Sequence, residues 1–311
     1  MSSAAPALSD DRVPLGIAMM LAFCAIAPLI DVSSKIASQE VSIAQVTFFR
    51  MVFQAVLMAP VVLVLRQSLR LGRRLVWLQV LRSLMLIGST AAFVGAVREM
   101  PLADALAIVF IEPFIILALG AMLFGDQVGP RRISAAVVGF LGALLVIQPN
   151  FAEFGAVALY PLATALFFAL YMLLTRRVAR EVPPEAMQLH TAWMGTLLML
   201  PVIALGHGFG WEGLSLSNPA PDIWAWLFGV GLAASVSHMA MTYALRWAPS
   251  ATLAPLHYLE IVNAVLFGFL FFGDWPNALS WAGIAVIVAS GLYVIARERV
   301  LARKARLPLP R

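Results

Sequence analysis

Two carboxylates stand where a polypeptide seldom keeps them. Glu112 lies inside "LAIVFIEPFIILALG" and Glu260 inside "LHYLEIVNAVLFG", each flanked by apolar residues for a helical span. Leaving such a charge unpaired away from water is costly. The group therefore faces a wet cavity, pairs with a cation, carries a proton, or hydrogen-bonds to a neighbouring helix as glue. Around them the spacing repeats. His257, Glu260 and Asn263 recur at i, i+3 and i+6, along one side of a helix, and Ser235, His238 and Thr242 form a similar stripe. Because histidine can titrate near neutral pH, these residues make a candidate substrate- and proton-binding set. Arg82 joins it as a group suited to a carboxylate or phosphate. Arg50, at the same depth in an earlier run, is read chiefly as a structural ion pair. Asp31 and Asp104, near the outer face, are candidates for a gate or for the headgroup level. Tyr160, Thr164, Phe167 and Tyr171 repeat at helical spacing. With Trp193 they form either ordinary packing or one wall that stacks a flat ring. No pair of residues has metal-ligand spacing and Cys24 is the one cysteine, so neither metal nor cofactor is expected.

The elements that must hold these groups follow from composition. Of 311 residues 62% are hydrophobic and 12% charged, against roughly half and a quarter in soluble domains. That is an integral membrane protein. Ten apolar runs of bilayer-crossing length can be drawn, at 13–33, 43–65, 75–96, 101–124, 133–149, 155–175, 186–207, 222–245, 250–272 and 278–296. The links are too short for a soluble domain, leaving a 1–12 segment before the first run and a basic 297–311 tail. No basic stretch precedes the first run and no small-residue cleavage site follows it, so that run is expected to stay as a helix. The net charge of +5 is arranged for orientation rather than for nucleic acid. The tail and the links after even-numbered runs hold 16 of the 21 Lys and Arg, counting Arg66, Arg131, Arg176, Arg246 and their neighbours, whereas the odd links hold Lys35 and Arg98. Lys and Arg mark the cytoplasmic side, which puts both termini there, with the tail also touching anionic lipid.

The chain also repeats itself. Set "AVREMPLADALAIVFIEPFIILALGAMLFGD" (96–126) above "ALRWAPSATLAPLHYLEIVNAVLFGFLFFGD" (244–274). At the constant offset 260 minus 112, Arg98 meets Arg246, Pro101 meets Pro249, Glu112 meets Glu260 and Gly120 meets Gly268, and both copies end in "FGD". A fainter match pairs "SKIASQEV" (34–41) with "TRRVAREV" (175–182). The unit spans five helices, 13–149 and 150–296. Five is odd, so the second copy enters the membrane inverted. Inverted repeats recur in transporters, with the site near the midplane between them. Counted along their runs from 101 and 250, both acids fall at that level, about 15 Å from either surface. Pro113 has no N–H to give and favours a bend beside Glu112.

At these repeats the chain resembles the drug/metabolite transporter superfamily, in its EamA-type ten-helix branch. "MPLADALAIVFIEPFIILALGAMLFGD" and "APSATLAPLHYLEIVNAVLFGFLFFGD" resemble a pattern in which a helix opens on small residues and proline, carries Leu-Glu-Pro near its middle and closes on Gly-Glu. Two departures stand out: Asp126 and Asp274 replace the terminal Glu, and Ile261 replaces the second proline, so any bend there would come from Pro255. The resemblance implies an all-α fold of ten transmembrane helices in two inverted five-helix repeats. It also implies transport of a small metabolite across the inner membrane by alternating access. "MPLADALAI" is most similar to bacterial branches associated with riboflavin or S-adenosylmethionine uptake. Amino acids and an exporter of the same fold remain open, and a proton is the expected coupling ion. An intramembrane enzyme would need a nucleophile with its base or an H-E-x-x-H motif, and direct ATP use a Walker A motif; the sequence has none of these. A channel or scaffold explains the repeat less well. Oligomeric state is not readable, although Gly283, Ser290 and Gly291 leave the last helix able to pack closely.

Overall fold

The computed structural model describes residues 12–100, 102–125, 128–148, 155–273 and 275–305. Pro101, Asp126, Asp274 and the tail from residue 306 lie outside them. Among the described residues, ten helices are long and apolar enough to cross a membrane, the first Val13–Ala37 and the last Ala278–Arg297. Each matches one of the apolar runs to within a few residues.

In chain order the helices are α1 (Val13–Ile26), α2 (Pro28–Ala37), α3 (Ile43–Val64), α4 (Arg73–Glu99), α5 (Leu102–Val109), α6 (Glu112–Phe124) and α7 (Pro130–Ile147). The second half holds α8 (Leu159–Val178), α9 (Pro184–Phe209), α10 (Pro221–Trp247), α11 (Ser250–Leu253), α12 (Leu259–Phe272) and α13 (Ala278–Ala305). Three of the ten spans are broken. In the first, Pro28 starts α2 directly after the turn at Ala27. In the fourth, α5 ends before Phe110–Ile111 and α6 begins at Glu112, with Pro113 in its first turn. In the ninth, a 3-10 turn over Ala254–Tyr258, containing Pro255, separates α11 from α12. A proline lacks the N–H that would continue the ladder and clashes with the preceding turn, which is why each break falls at one. Gly125 (φ 66°) and Gly273 (φ 76°), equivalent in the repeat, end α6 and α12 in the left-handed conformation that glycine tolerates.

The closest helix pairs are α1 with α10, α4 with α8, α3 with α9 and α7 with α13. Exchanging each span for the one five places on converts the first pair into the second and leaves the other two unchanged. Lipid tails are as apolar as leucine, so contact between helices rests on close backbone approach and hydrogen bonds. The α7–α13 seam shows both. Ser290 Oγ donates to the Ala135 carbonyl at 2.9 Å and Ser280 Oγ to that of Val146 at 3.1 Å. A Cβ on Gly283 would stand 2.6 Å from the Gly142 carbonyl oxygen, and, against α12 instead, one on Gly291 would stand 2.8 Å from Leu259. The small residues of the last helix are thus used within the chain. Gly283→Val is expected to lower the melting temperature in detergent, because the obstacle is backbone; overpacking of this kind costs about 1–3 kcal/mol. An unchanged thermal transition would mean that the seam is looser than described.

Candidate functional site

The breaks bring the two acids together. Glu112 opens α6 and Glu260 lies in the first turn of α12, so each carboxyl sits at a half-helix N-terminus inside the bundle. Unpaired N–H groups and the helix dipole give such a terminus about half a positive charge, which favours a carboxylate there. That is a physical reason for a chain to keep an acid at this depth. The two breaks touch. Phe110 and Tyr258, equivalent in the repeat, place their rings 6.0 Å apart, and Tyr258 OH donates to the Phe110 carbonyl at 3.1 Å. The Leu256 carbonyl, in the 3-10 turn, accepts from the Cys24 thiol at 3.5 Å.

A cavity of about 80 Å³ lies at this junction, lined by Asp31, Arg50, Glu112, His238 and Glu260, with Phe23, Phe93, Phe110 and Phe168 among its walls. Glu112 is 3% exposed. Its Oε2 is 3.5 Å from His257 Nδ1, whereas its Oε1 and His257 Nε2 have no hydrogen-bond partner. Asp31 and Glu260 are half-buried. Arg50 turns elsewhere: it donates to Thr90 Oγ1 and, at 3.1 Å, to His238 Nε2. A guanidinium can only donate, so Nε2 is the acceptor and the imidazole proton sits on Nδ1. Nδ1–H then donates to the Tyr171 oxygen at 3.0 Å, which also accepts from Arg82 at 2.7 Å.

Arg82 is therefore connected to the cavity through Tyr171 and His238 but does not line it. It is fully buried, held by Thr175 Oγ1 at 2.8 Å, the Met187 carbonyl at 3.3 Å and Thr191, with its guanidinium 4.5 Å from the Tyr171 ring centroid. Arg50, read from sequence as a structural ion pair, lines the cavity and is held by neutral partners.

Other sequence candidates lie apart from the cavity. Tyr160 is 45% exposed with its ring against Gly95, and Phe167 packs on Gly88. Trp193 is 39% exposed and donates to His190 Nδ1 at 3.0 Å. Asn263 donates to the Leu259 carbonyl of its own helix at 3.3 Å. Of the aromatic stripe, Tyr160 and Phe167 are thus packing residues. The side of α8 toward the cavity runs Thr164, Phe168, Tyr171, Thr175, with Thr164 and Phe168 lining it and Tyr171 and Thr175 fully buried behind them, and the alternation of threonine with aromatics at 4-3-4 spacing is the signal for that side. Sequence reasoning also missed Phe23, Phe93 and Phe110, which one helix's periodicity cannot distinguish from packing.

A larger cavity of about 370 Å³ opens at the end away from the arginine-rich links, between Lys35, Gln148, Phe272, Trp275 and Asn277, and shares Leu106 with the small one. The half-helix of the second repeat is enclosed. All of Ser250–Tyr258 is buried, pinned by Arg176 to Ser250 Oγ and by Arg132 to Thr252 Oγ1, each at 2.8 Å. Leu102 and Leu106 of the equivalent half-helix line the larger cavity instead. Asp104, also on that half-helix, does not border either cavity.

The model of the EamA-like transporter family matches residues 14–148 and again 155–296. The chain belongs to the EamA-like transporter family. This EamA-like chain is 32% identical over 232 residues to a riboflavin transporter of Rhizobium johnstonii, covering 73% of each protein. It is 25% identical to a riboflavin transporter of Brucella anthropi, over 92% of this chain and 100% of that one. An S-adenosylmethionine uptake transporter of Rickettsia prowazekii is 24% identical over 86% of this chain and 88% of its own. A solved crystal structure at 21% identity superposes with a TM-score of 0.70, covering 93% of this chain and 99% of its own, which shows the fold alone. The EamA-like protein is thus a membrane-embedded transporter of a small metabolite and not an enzyme.

Proposed function

We propose that this carrier moves a vitamin, nucleoside derivative or amino acid across the bacterial inner membrane by alternating access, with both termini cytoplasmic. Glu112, Glu260, His257, His238 and Asp31 handle substrate and proton. The observation that carries the reading is the meeting of two half-helices at one cavity, each with the acid that the repeat makes equivalent in its first turn. Discontinuous helices at a repeat interface are where inverted-repeat carriers bind their cargo. The unlike surroundings of the equivalent half-helices support alternation: one is enclosed, while the other borders an open cavity. Exchanging those environments would move the opening to the other side. The names of the relatives favour cargo of the riboflavin or S-adenosylmethionine type.

The carboxyls of the cavity support coupling to protons, since a carboxylate that releases a proton can take up another partner and the reverse. Uptake into proteoliposomes is expected to rise several-fold when a pH gradient is imposed, about tenfold for each 1.4 kcal/mol of gradient that is coupled. Equal rates with and without the gradient would remove the proton from the mechanism.

A further inference from the structure

We propose that the central cavity selects an organic cation, holding its charged head among the three carboxyls while the rest of the molecule extends into the larger cavity. This rests on reading the cavity as the transport site, and narrows its substrate class. Three acids from three spans, Asp31, Glu112 and Glu260, line about 80 Å³ together with one guanidinium. That guanidinium attracts Asp31 through space but makes no close ion pair with any of the acids. Arg50 is directed at Thr90 and His238, and among the described residues no ion pair within 4 Å joins it to any of the three. His257 approaches one acid alone, Glu112, and leaves Oε1 of that buried carboxyl without a partner. Arg50 Nε is likewise without a partner, but three carboxyls against one guanidinium leave the cavity richer in acidic groups than in basic ones.

The walls add a second preference. Phe23, Phe93, Phe110 and Phe168 surround the same space, and an aromatic face with a carboxylate nearby is the surrounding that favours an ammonium or sulfonium head. A cation can take the place of the proton that an acid in a dry site otherwise carries, which a neutral ligand cannot do. Size fixes how much of the ligand enters. Water occupies about 30 Å³ in the liquid, so the small cavity takes a head of a few heavy atoms and no fused ring. Leu106 is a shared wall, and beyond it the 370 Å³ cavity offers Trp275 for a flat body, with Gln148 and Asn277 amides at the rim and Lys35 standing over the Phe272 ring, 5.1 Å from its centroid.

The test uses matched pairs on the purified full-length protein. S-adenosylmethionine and S-adenosylhomocysteine differ by one methyl group and the positive charge on sulfur, and choline and 3,3-dimethyl-1-butanol differ similarly at nitrogen. Riboflavin serves as the neutral flat ring. Dissociation constants are measured by calorimetry for the wild type, Asp31→Asn and Glu112→Gln, with thermal unfolding to confirm that each variant is folded. The cationic member of at least one pair is expected to bind about tenfold or more tightly than its neutral partner. That preference should collapse in a folded acid variant. Equal affinity within both pairs, absence of binding by every cation, or riboflavin binding that is insensitive to both substitutions would overturn the cation proposal. The last two outcomes leave the cavity itself open to a neutral cargo. Loss of the reading beneath it looks different: ligands bind, charged or neutral, and none responds to any acid variant, Glu260→Gln included.

Discussion

Glu260→Gln is expected to lower ligand affinity and uptake by about 10- to 100-fold while leaving the protein as stable as before. The carboxyl is half-buried on the cavity wall at the start of α12, where an amide keeps the shape and loses the charge. Hydrogen bonds to charged groups are worth about 1.5–3 kcal/mol, which sets that range. The matched substitution Glu112→Gln should act on two levels. Glu112 is 3% exposed and 3.5 Å from His257 of the other repeat, so its loss weakens a contact between the halves as well as the site. Uptake in proteoliposomes and thermal unfolding separate the effects: Glu260→Gln moves the first alone, Glu112→Gln both. Unchanged ligand binding in Glu260→Gln and Glu260→Ala would make this acid a packing residue.

Arg82→Ala is expected to destabilise the protein by on the order of 3–5 kcal/mol. The side chain has no accessible surface and is the common donor to Thr175, Thr191, Tyr171 and the Met187 carbonyl, tying α4 to α8 and α9. Truncation strands those acceptors in a dry interior. Arg82→Lys should recover part of the loss, since an ammonium keeps the charge but cannot reproduce the planar fork. Because Arg82 does not line the cavity, Arg82→Lys should retain the wild-type dissociation constant for whichever ligand is bound. A variant with normal melting behaviour and a ligand affinity reduced by tenfold or more would return Arg82 to the binding set.

The linear sequence determined a good deal. Ten apolar runs and their lengths are local properties, and bilayer thickness turns them directly into spans. The ungapped match of Glu112 with Glu260, Pro101 with Pro249 and "FGD" with "FGD" exposed a repeat without any structure. Pro113 and Pro255 marked two of the breaks, because the missing N–H acts on its own turn. The tertiary structure alone decided that both acids lie in the first turn of half-helices, that His257 belongs to Glu112 rather than to its sequence neighbour Glu260, and that Arg82 is a tie while Arg50 lines the cavity. It also decided which aromatics meet the site: Phe168 and not Phe167 lines the cavity, and Tyr171 rather than Tyr160 bonds to His238 and Arg82. In a membrane helix nearly every position is apolar, so composition cannot distinguish the face that meets lipid from the face that meets protein. Only packing assigns those faces, and with them the partners of each buried charge.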